Sequence, residues 1–310
     1  MKTASHPAVV AVQELRKSYG MIPALTGLNL EISPGEMYGL IGPDGAGKTT
    51  FLRILCGLIV PDAGSAQVLG YDPVLEQNRI KTEIGYMPQR FSLYPDLTVT
   101  ENLHFFARIF RVRKPEEERL TRRLLEFSRL GAFSDRKAGA LSGGMKQKLA
   151  LSCTLIHTPK LLILDEPTTG VDPVSRNEFW EILEELRSEG VTVLVTTPYM
   201  DEAARCDRVS LIYQGRALAG GAPEQITAEF PYALLRVYTS EPHNAAKLLR
   251  QQGDFLSVHI YGDRVHVAVV GNTRADDQIR KILNGAKCSF SLIEAAEPSL
   301  EDTFVYLLQQ

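Results

Sequence analysis

Residues 42–50 read Gly42-Pro43-Asp44-Gly45-Ala46-Gly47-Lys48-Thr49-Thr50, and this stretch decides the fold. It fits the pattern G-x-x-x-x-G-K-[ST], in which glycines let backbone amides close around phosphate oxygens. An apolar run, Met37-to-Ile41, precedes it, and a helical pattern from about Lys48 to Cys56 follows. Strand, loop and helix in that order aim several N–H groups and the positive end of a helix at one point. Lys48 would then reach the β- and γ-phosphates, and the Thr49 hydroxyl would ligate Mg2+.

A second run, Leu161-Leu162-Ile163-Leu164-Asp165-Glu166, brings two adjacent carboxylates to the end of an apolar strand. Asp165 is suited to the Mg2+ shell, and Glu166 to polarising an attacking water as general base. With the phosphate loop, this pair predicts a nucleotide hydrolysis site.

The rest of the first two thirds alternates β-type runs with helical patterns, as an α/β fold does. Val9-to-Leu15, Leu25-to-Ile32, Ala66-to-Leu69, Val191-to-Val195 and Val209-to-Tyr213 read as strands. Leu97-to-Leu130 reads as helical, with Thr98 and Glu101 at capping-box spacing, and Pro173-to-Arg187 as a helix opened by proline. After about Phe230 the pattern becomes β-α-β-β-α-β plus a closing helix: strands Leu234-to-Thr239, Leu256-to-Ile260, Arg264-to-Val270 and Ser289-to-Ile293, with helices between. The expected division is residues 1–229 and a small α+β domain over 230–310.

Composition narrows the function classes. The chain has 310 residues, with 34 Lys+Arg against 37 Asp+Glu and a net charge of −3. Hydrophobic residues at 44% and charged residues at 23% are ordinary globular usage, which excludes a disordered chain or a fibre. The balanced charge leaves no basic footprint for a nucleic-acid partner. Apolar stretches such as Val191-to-Val195 fall far short of the roughly 20 residues that span a bilayer. The chain is therefore expected in the cytoplasm unless a partner draws it to a membrane. None of Cys56, Cys153, Cys206 and Cys288 forms a C-x-x-C pair, and buried reduced thiols are expected.

Leu141-Ser142-Gly143-Gly144-Met145 resembles the signature loop of ATP-binding cassette (ABC) ATPases, with Met145 where that family most often has Gln. The resemblance runs from about residue 8 to 225, with the motifs in the family's order. It implies an ABC-type fold, a mixed sheet plus a helical subdomain at about 90–158. It also implies ATP and Mg2+ as ligands, and a head-to-tail partner cassette. Ser142, Gly143, Gly144 and Met145 would then close on the γ-phosphate held by the partner's loop. Gln89, in Gly85-Tyr86-Met87-Pro88-Gln89, resembles the glutamine that touches Mg2+ or water. Tyr19 resembles the aromatic that stacks on adenine, and Asp172, in Gly170-Val171-Asp172-Pro173, resembles the loop that signals across the dimer. The tail Glu297-Pro298-Ser299-Leu300-Glu301-Asp302-Thr303-Phe304 resembles the ending of the drug-resistance branch of bacterial ABC exporters. In that branch the cassette is a separate subunit of a membrane permease, peripheral on its cytoplasmic face. The small domain is then a dimerisation or regulatory module.

One position departs from the family. In Thr196-Thr197-Pro198-Tyr199-Met200, Pro198 stands where a switch histidine is expected, and none of the six histidines replaces it by local sequence. Proline offers no side-chain donor and no N–H. One lost transition-state contact of this kind costs about 3 kcal/mol, on the order of a hundredfold in rate. The expectation is a weak site in this chain, in an asymmetric pair with a cassette that keeps its histidine, against a homodimer that tolerates Pro198 because Glu166 remains. The alternatives are a soluble non-transport ABC ATPase and an ATP-binding regulatory subunit.

Overall fold

The computed structural model describes residues 7–90, 93–252, 254–270 and 274–308. The chain divides into two compact units, Met1–Pro223 and Glu224–Gln310.

The first unit opens with β1 (Val10–Tyr19), β2 (Ile22–Ile32), β3 (Met37–Ile41), α1 (Lys48–Leu55) and β4 (Ala63–Val68). β1 pairs antiparallel with both β2 and β4, making a three-stranded sheet. Next come α2 (Gln77–Glu83), β5 (Ile84–Met87), α3 (Val99–Ile109), α4 (Lys114–Phe127) and α5 (Gly143–Leu155). The unit closes with β6 (Leu161–Asp165), α6 (Pro173–Ser188), β7 (Thr192–Thr197), α7 (Met200–Ala203), β8 (Arg208–Tyr213) and β9 (Arg216–Gly221).

Six of these strands form the main sheet in the order β5-β6-β7-β3-β8-β9, parallel except for β8–β9. Every residue of β3, β6 and β7 is buried, which is why these runs carry little polar alternation. Because the strands are parallel, their carboxyl ends share one edge, where ligands bind in open α/β sheets. The phosphate loop, Asp165-Glu166, Thr196-Thr197 and the Gln89 segment all leave the sheet there. α1 buries Phe51, Leu52, Ile54 and Leu55 in the core shared with both sheets. At about 2 kcal/mol for each such side chain, that face holds the loop's helix in place.

The segment expected as one helical stretch is two helices. Arg111 adopts a left-handed backbone (φ +56°), and Pro115 sits in the first turn of α4, so the helix stops after Ile109 and restarts at Lys114. The capping box at α3 forms as expected: Glu101 N donates to Thr98 Oγ1 at 3.1 Å, and Thr98 N to Glu101 Oε2 at 2.8 Å.

The second unit comprises α8 (Pro223–Ala228, which begins at the boundary), β10 (Ala233–Tyr238), α9 (Pro242–Gln252), β11 (Ser257–Tyr261), β12 (Arg264–Val269), α10 (Ala275–Gly285), β13 (Leu292–Ala296) and α11 (Leu300–Leu307). Its sheet is antiparallel throughout, in the order β11-β12-β10-β13. That is the order a β-α-β-β-α-β chain produces. Val237, Val265 and Val267 pack with Leu249 of α9 and Ile279 and Leu283 of α10. The last strand is displaced from the expected Ser289-to-Ile293 to Leu292–Ala296. Ser289 O accepts from Thr239 Oγ1, and Ser291 N donates to Tyr238 O, so the chain turns through these serines before pairing starts at Tyr238↔Leu292. The tail motif forms α11, capped by Ser299, with Asp302 Oδ1 2.9 Å from His266 Nδ1.

Candidate active site

The phosphate loop leaves β3 and enters α1 with its backbone pressed between neighbours. A Cβ at Gly42 would stand 2.2 Å from Ile212 O, and one at Gly47 2.3 Å from Ala24 O. Gly47 also has φ +107°, a conformation that side chains disfavour, so glycine is required there on two counts. The loop from Asp44 to Thr50, with Tyr19, Gln89 and Glu166, lines a cavity of about 460 Å3. That volume is within the range of small-molecule sites. Tyr19 is 48% exposed at its edge, a position from which a ring can stack on a planar base.

At the floor, Lys48 is only 4% exposed. Its Nζ donates to Gly42 O at 2.7 Å and Pro43 O at 3.0 Å, and lies 2.9 Å from Glu166 Oε1. Thr49 Oγ1 donates to Asp165 Oδ1 at 3.0 Å. Gln89 Nε2 donates to Glu166 Oε2 at 3.0 Å. Five residues that sequence reasoning singled out separately therefore meet at one place. Burial raises the pKa of Asp165 above the ordinary carboxylate value, hydrogen bonds from Thr49 and Thr196 offset part of the rise, and the Glu166 charge adds to it. A buried carboxylate under that pressure favours a nearby cation. The all-oxygen donors Thr49 Oγ1 and Asp165 fit Mg2+, a hard ion held by one or two carboxylates plus phosphate oxygens.

The other candidates lie elsewhere in the unit. Ser142 caps α5, its Oγ accepting from Met145 N at 3.3 Å. Asp172 caps α6, its Oδ1 accepting from Ser175 N at 2.9 Å. The two caps are neighbours, because a Cβ at Gly144 would stand 2.4 Å from Ser175 Cβ. Neither Ser142–Met145 nor Asp172 lines the phosphate cavity. Pro198 is half-buried just past β7, and among the described residues no histidine lines the cavity. His157 instead stacks on Phe110 at 3.8 Å, with Nε2 donating to Ile84 O.

The profile of the ABC transporter family matches residues 25–169. The chain is 39% identical over 299 residues to Nod factor export ATP-binding protein I of Rhizobium sp. (strain N33), covering 94% of each. The chain belongs to the ABC transporter family. It is also 42% identical over 307 residues to the probable multidrug ABC transporter ATP-binding protein YbhF of Escherichia coli (strain K12). That match covers 97% of this chain but 52% of the relative, so the chain spans about half of that relative's length. Among solved structures it resembles an ATP-binding subunit of an ABC transporter, with TM-score 0.65 and 30% identity, covering 72% of this chain and 93% of the other. It also resembles a dimeric ATP-binding cassette in a post-hydrolysis state bound to ADP and Pi, with TM-score 0.63 and 28% identity, covering 69% and 98%. The fold is therefore that of an ABC nucleotide-binding cassette. Among the described residues, no helix is long and apolar enough to cross a membrane.

Two features of this ABC cassette escape a reading of the sequence. Thr196, fully buried on β7, donates from Oγ1 to Asp165 Oδ1 and accepts from Glu166 N, both at 3.0 Å. Glu202, 3% exposed on α7, accepts from Thr168 Oγ1 at 2.7 Å, Thr197 Oγ1 at 2.5 Å and Arg176 Nε at 3.0 Å. Arg176 also lies over the Tyr199 ring at 4.3 Å. Together these contacts tie the segment around Pro198 to the loop between Glu166 and Asp172. The available signal was polarity on an otherwise apolar strand, Thr196-Thr197, followed by a carboxylate in a helix too short to carry a pattern.

Proposed function

We propose that this chain binds and hydrolyses ATP as the cassette subunit of an exporter, driving a separate membrane permease from its cytoplasmic face. The observation that carries this reading is the meeting of Lys48, Thr49, Gln89, Asp165 and Glu166 at one cavity. The loop amides and Lys48 hold the β- and γ-phosphates, and Tyr19 stacks on the base. Thr49, Asp165 and Gln89 hold Mg2+. When bound, the ion neutralises charge on the phosphates. Lys48 must leave Glu166 for the phosphates, which frees the Glu166 carboxylate to take a proton from water. The names of the relatives, a multidrug transporter subunit and a Nod factor export subunit, support an exporter.

The separation of Ser142-Gly143-Gly144 and Asp172 from the chain's own cavity supports a second cassette as partner. The signature would serve that cassette's nucleotide. With Pro198 in place of a switch histidine, the chain's own site is weak, and the pair is asymmetric. Residues 230–310 act as a dimerisation or regulatory module. Pro198 also favours a second reading, an ATP-binding regulatory subunit with negligible turnover.

Complexes co-purified with a polytopic membrane protein, with Lys48→Ala placed in one cassette at a time, test the assignment. The asymmetric reading expects unequal losses of turnover. Equal loss from either cassette contradicts it, and the absence of any membrane partner contradicts the exporter reading.

A further inference from the structure

The Thr196 hydroxyl touches both acids of the site, a role that nothing in the loop or carboxylate motifs assigns. β6 and β7 are parallel neighbours in the register Asp165↔Thr196, which sets this hydroxyl beside the Asp165 carboxylate. A hydroxyl has one hydrogen to donate. Asp165 Oδ1 at 3.0 Å takes it in preference to Leu164 O at 3.5 Å. The oxygen accepts from Glu166 N at 3.0 Å, on a residue held at φ +48°. Thr49 Oγ1 is the other donor to Asp165 Oδ1.

We infer that Thr196 is a positioning residue for the Mg2+ site, holding Asp165 in its ligating orientation. The inference rests on the reading of Thr49 and Asp165 as the Mg2+ pair. A threonine hydroxyl has one hydrogen and two lone pairs, so Thr49 can donate to Asp165 Oδ1 and still offer a lone pair to the ion. Both hydroxyls then hold Oδ1, and that of Thr196, fully buried on β7, does so whether or not Thr49 turns to the ion. Orienting contacts of this kind set ligand geometry and are worth about 10–100-fold in metal affinity.

The test is ATP binding by the full chain, by calorimetry, with Mg2+ and with EDTA. Thr196→Val is the deletion and Thr196→Ser the control. Valine keeps the buried shape, and Glu166 N keeps its bond to Thr196 O at 3.2 Å, so the fold survives. The expected result is that Thr196→Val loses about tenfold or more of the Mg2+-dependent gain in affinity, while EDTA binding stays within about twofold and Thr196→Ser keeps the gain. Full retention of the gain by Thr196→Val overturns the inference. So does an equal loss with and without Mg2+, which marks a merely structural role, and so does a wild type with no Mg2+ gain. Absence of turnover in every variant counts against the hydrolytic reading alone, because this readout needs no hydrolysis.

Discussion

Truncating Glu202 to alanine removes the acceptor on which three side chains converge, and the cost can be built from the structure. Thr168 and Thr197 are buried to within 1% of full burial, and each donates its hydroxyl to Glu202. A buried donor left unpaired costs about 1–3 kcal/mol, so the two together cost about 2–6 kcal/mol. Arg176 loses its bond at 3.0 Å but keeps Asp201 at 3.3 Å and the Tyr199 ring, and its side chain is 21% exposed. Its share is therefore the smallest. With that small share added, the total spans the usual cost of breaking one partner of a buried ion pair, about 3–5 kcal/mol. For a unit of this size, 1 kcal/mol moves the melting temperature by about 2–4 °C, so at that cost Glu202→Ala should melt about 6–20 °C below wild type. Glu202→Gln keeps an acceptor oxygen and should recover at least half of that. The assay is thermal unfolding of both variants beside wild type, followed by urea titration. An alanine variant melting within about 2 °C of wild type would refute the claim that Glu202 pins this segment.

Two further outcomes follow from the same geometry. Gly144→Ala places a Cβ 2.4 Å from Ser175 Cβ, forcing α5 and α6 apart where the signature and the Asp172 cap adjoin. It should lower stability by about 1–3 kcal/mol while ATP binding in EDTA is unchanged, and a neutral effect on melting would show that the two caps tolerate separation. Asp165 has a folded-state pKa raised above 3.8, so the native chain binds its proton more tightly than the unfolded chain. Its contribution is favourable at low pH and is lost as pH rises through the folded value. Asp165→Asn should therefore raise the neutral-pH melting temperature of the nucleotide-free chain and flatten that acid limb, while removing the Mg2+-dependent gain in ATP affinity. A lower melting temperature would contradict the account of burial.

The parts of the fold that were legible in the sequence were those governed by local chemistry. Met37–Ile41 and Leu161–Asp165 announce themselves because strands buried on both faces are apolar throughout. The phosphate loop is bounded by glycines that nothing else could replace, as the 2.3 Å approach of Ala24 O to a Cβ at Gly47 explains. The split between α3 and α4 was harder, because Arg111 gives no warning of a left-handed backbone, although Pro115 does. The strand expected at Ser289-to-Ile293 moved because its start is set by pairing with β10, a tertiary fact. Gln89, Lys48, Asp165 and Glu166 were legible as one site, but the direct contacts of Lys48 and Gln89 with Glu166 were not. Thr196 was invisible because its partner Asp165 lies 31 residues away and only the register of β6 and β7 joins them, and Glu202 because Thr168 and Arg176 reach it only through the tertiary fold.

The most direct test of the account is Mg-ATP turnover by the purified chain, wild type beside Pro198→His. The account predicts slow turnover in wild type and a gain on the order of a hundredfold in the variant, the worth of one restored transition-state contact. Fast turnover in wild type, with little change on restoring the histidine, would contradict the weak-site claim and leave Glu166 sufficient in a symmetric pair.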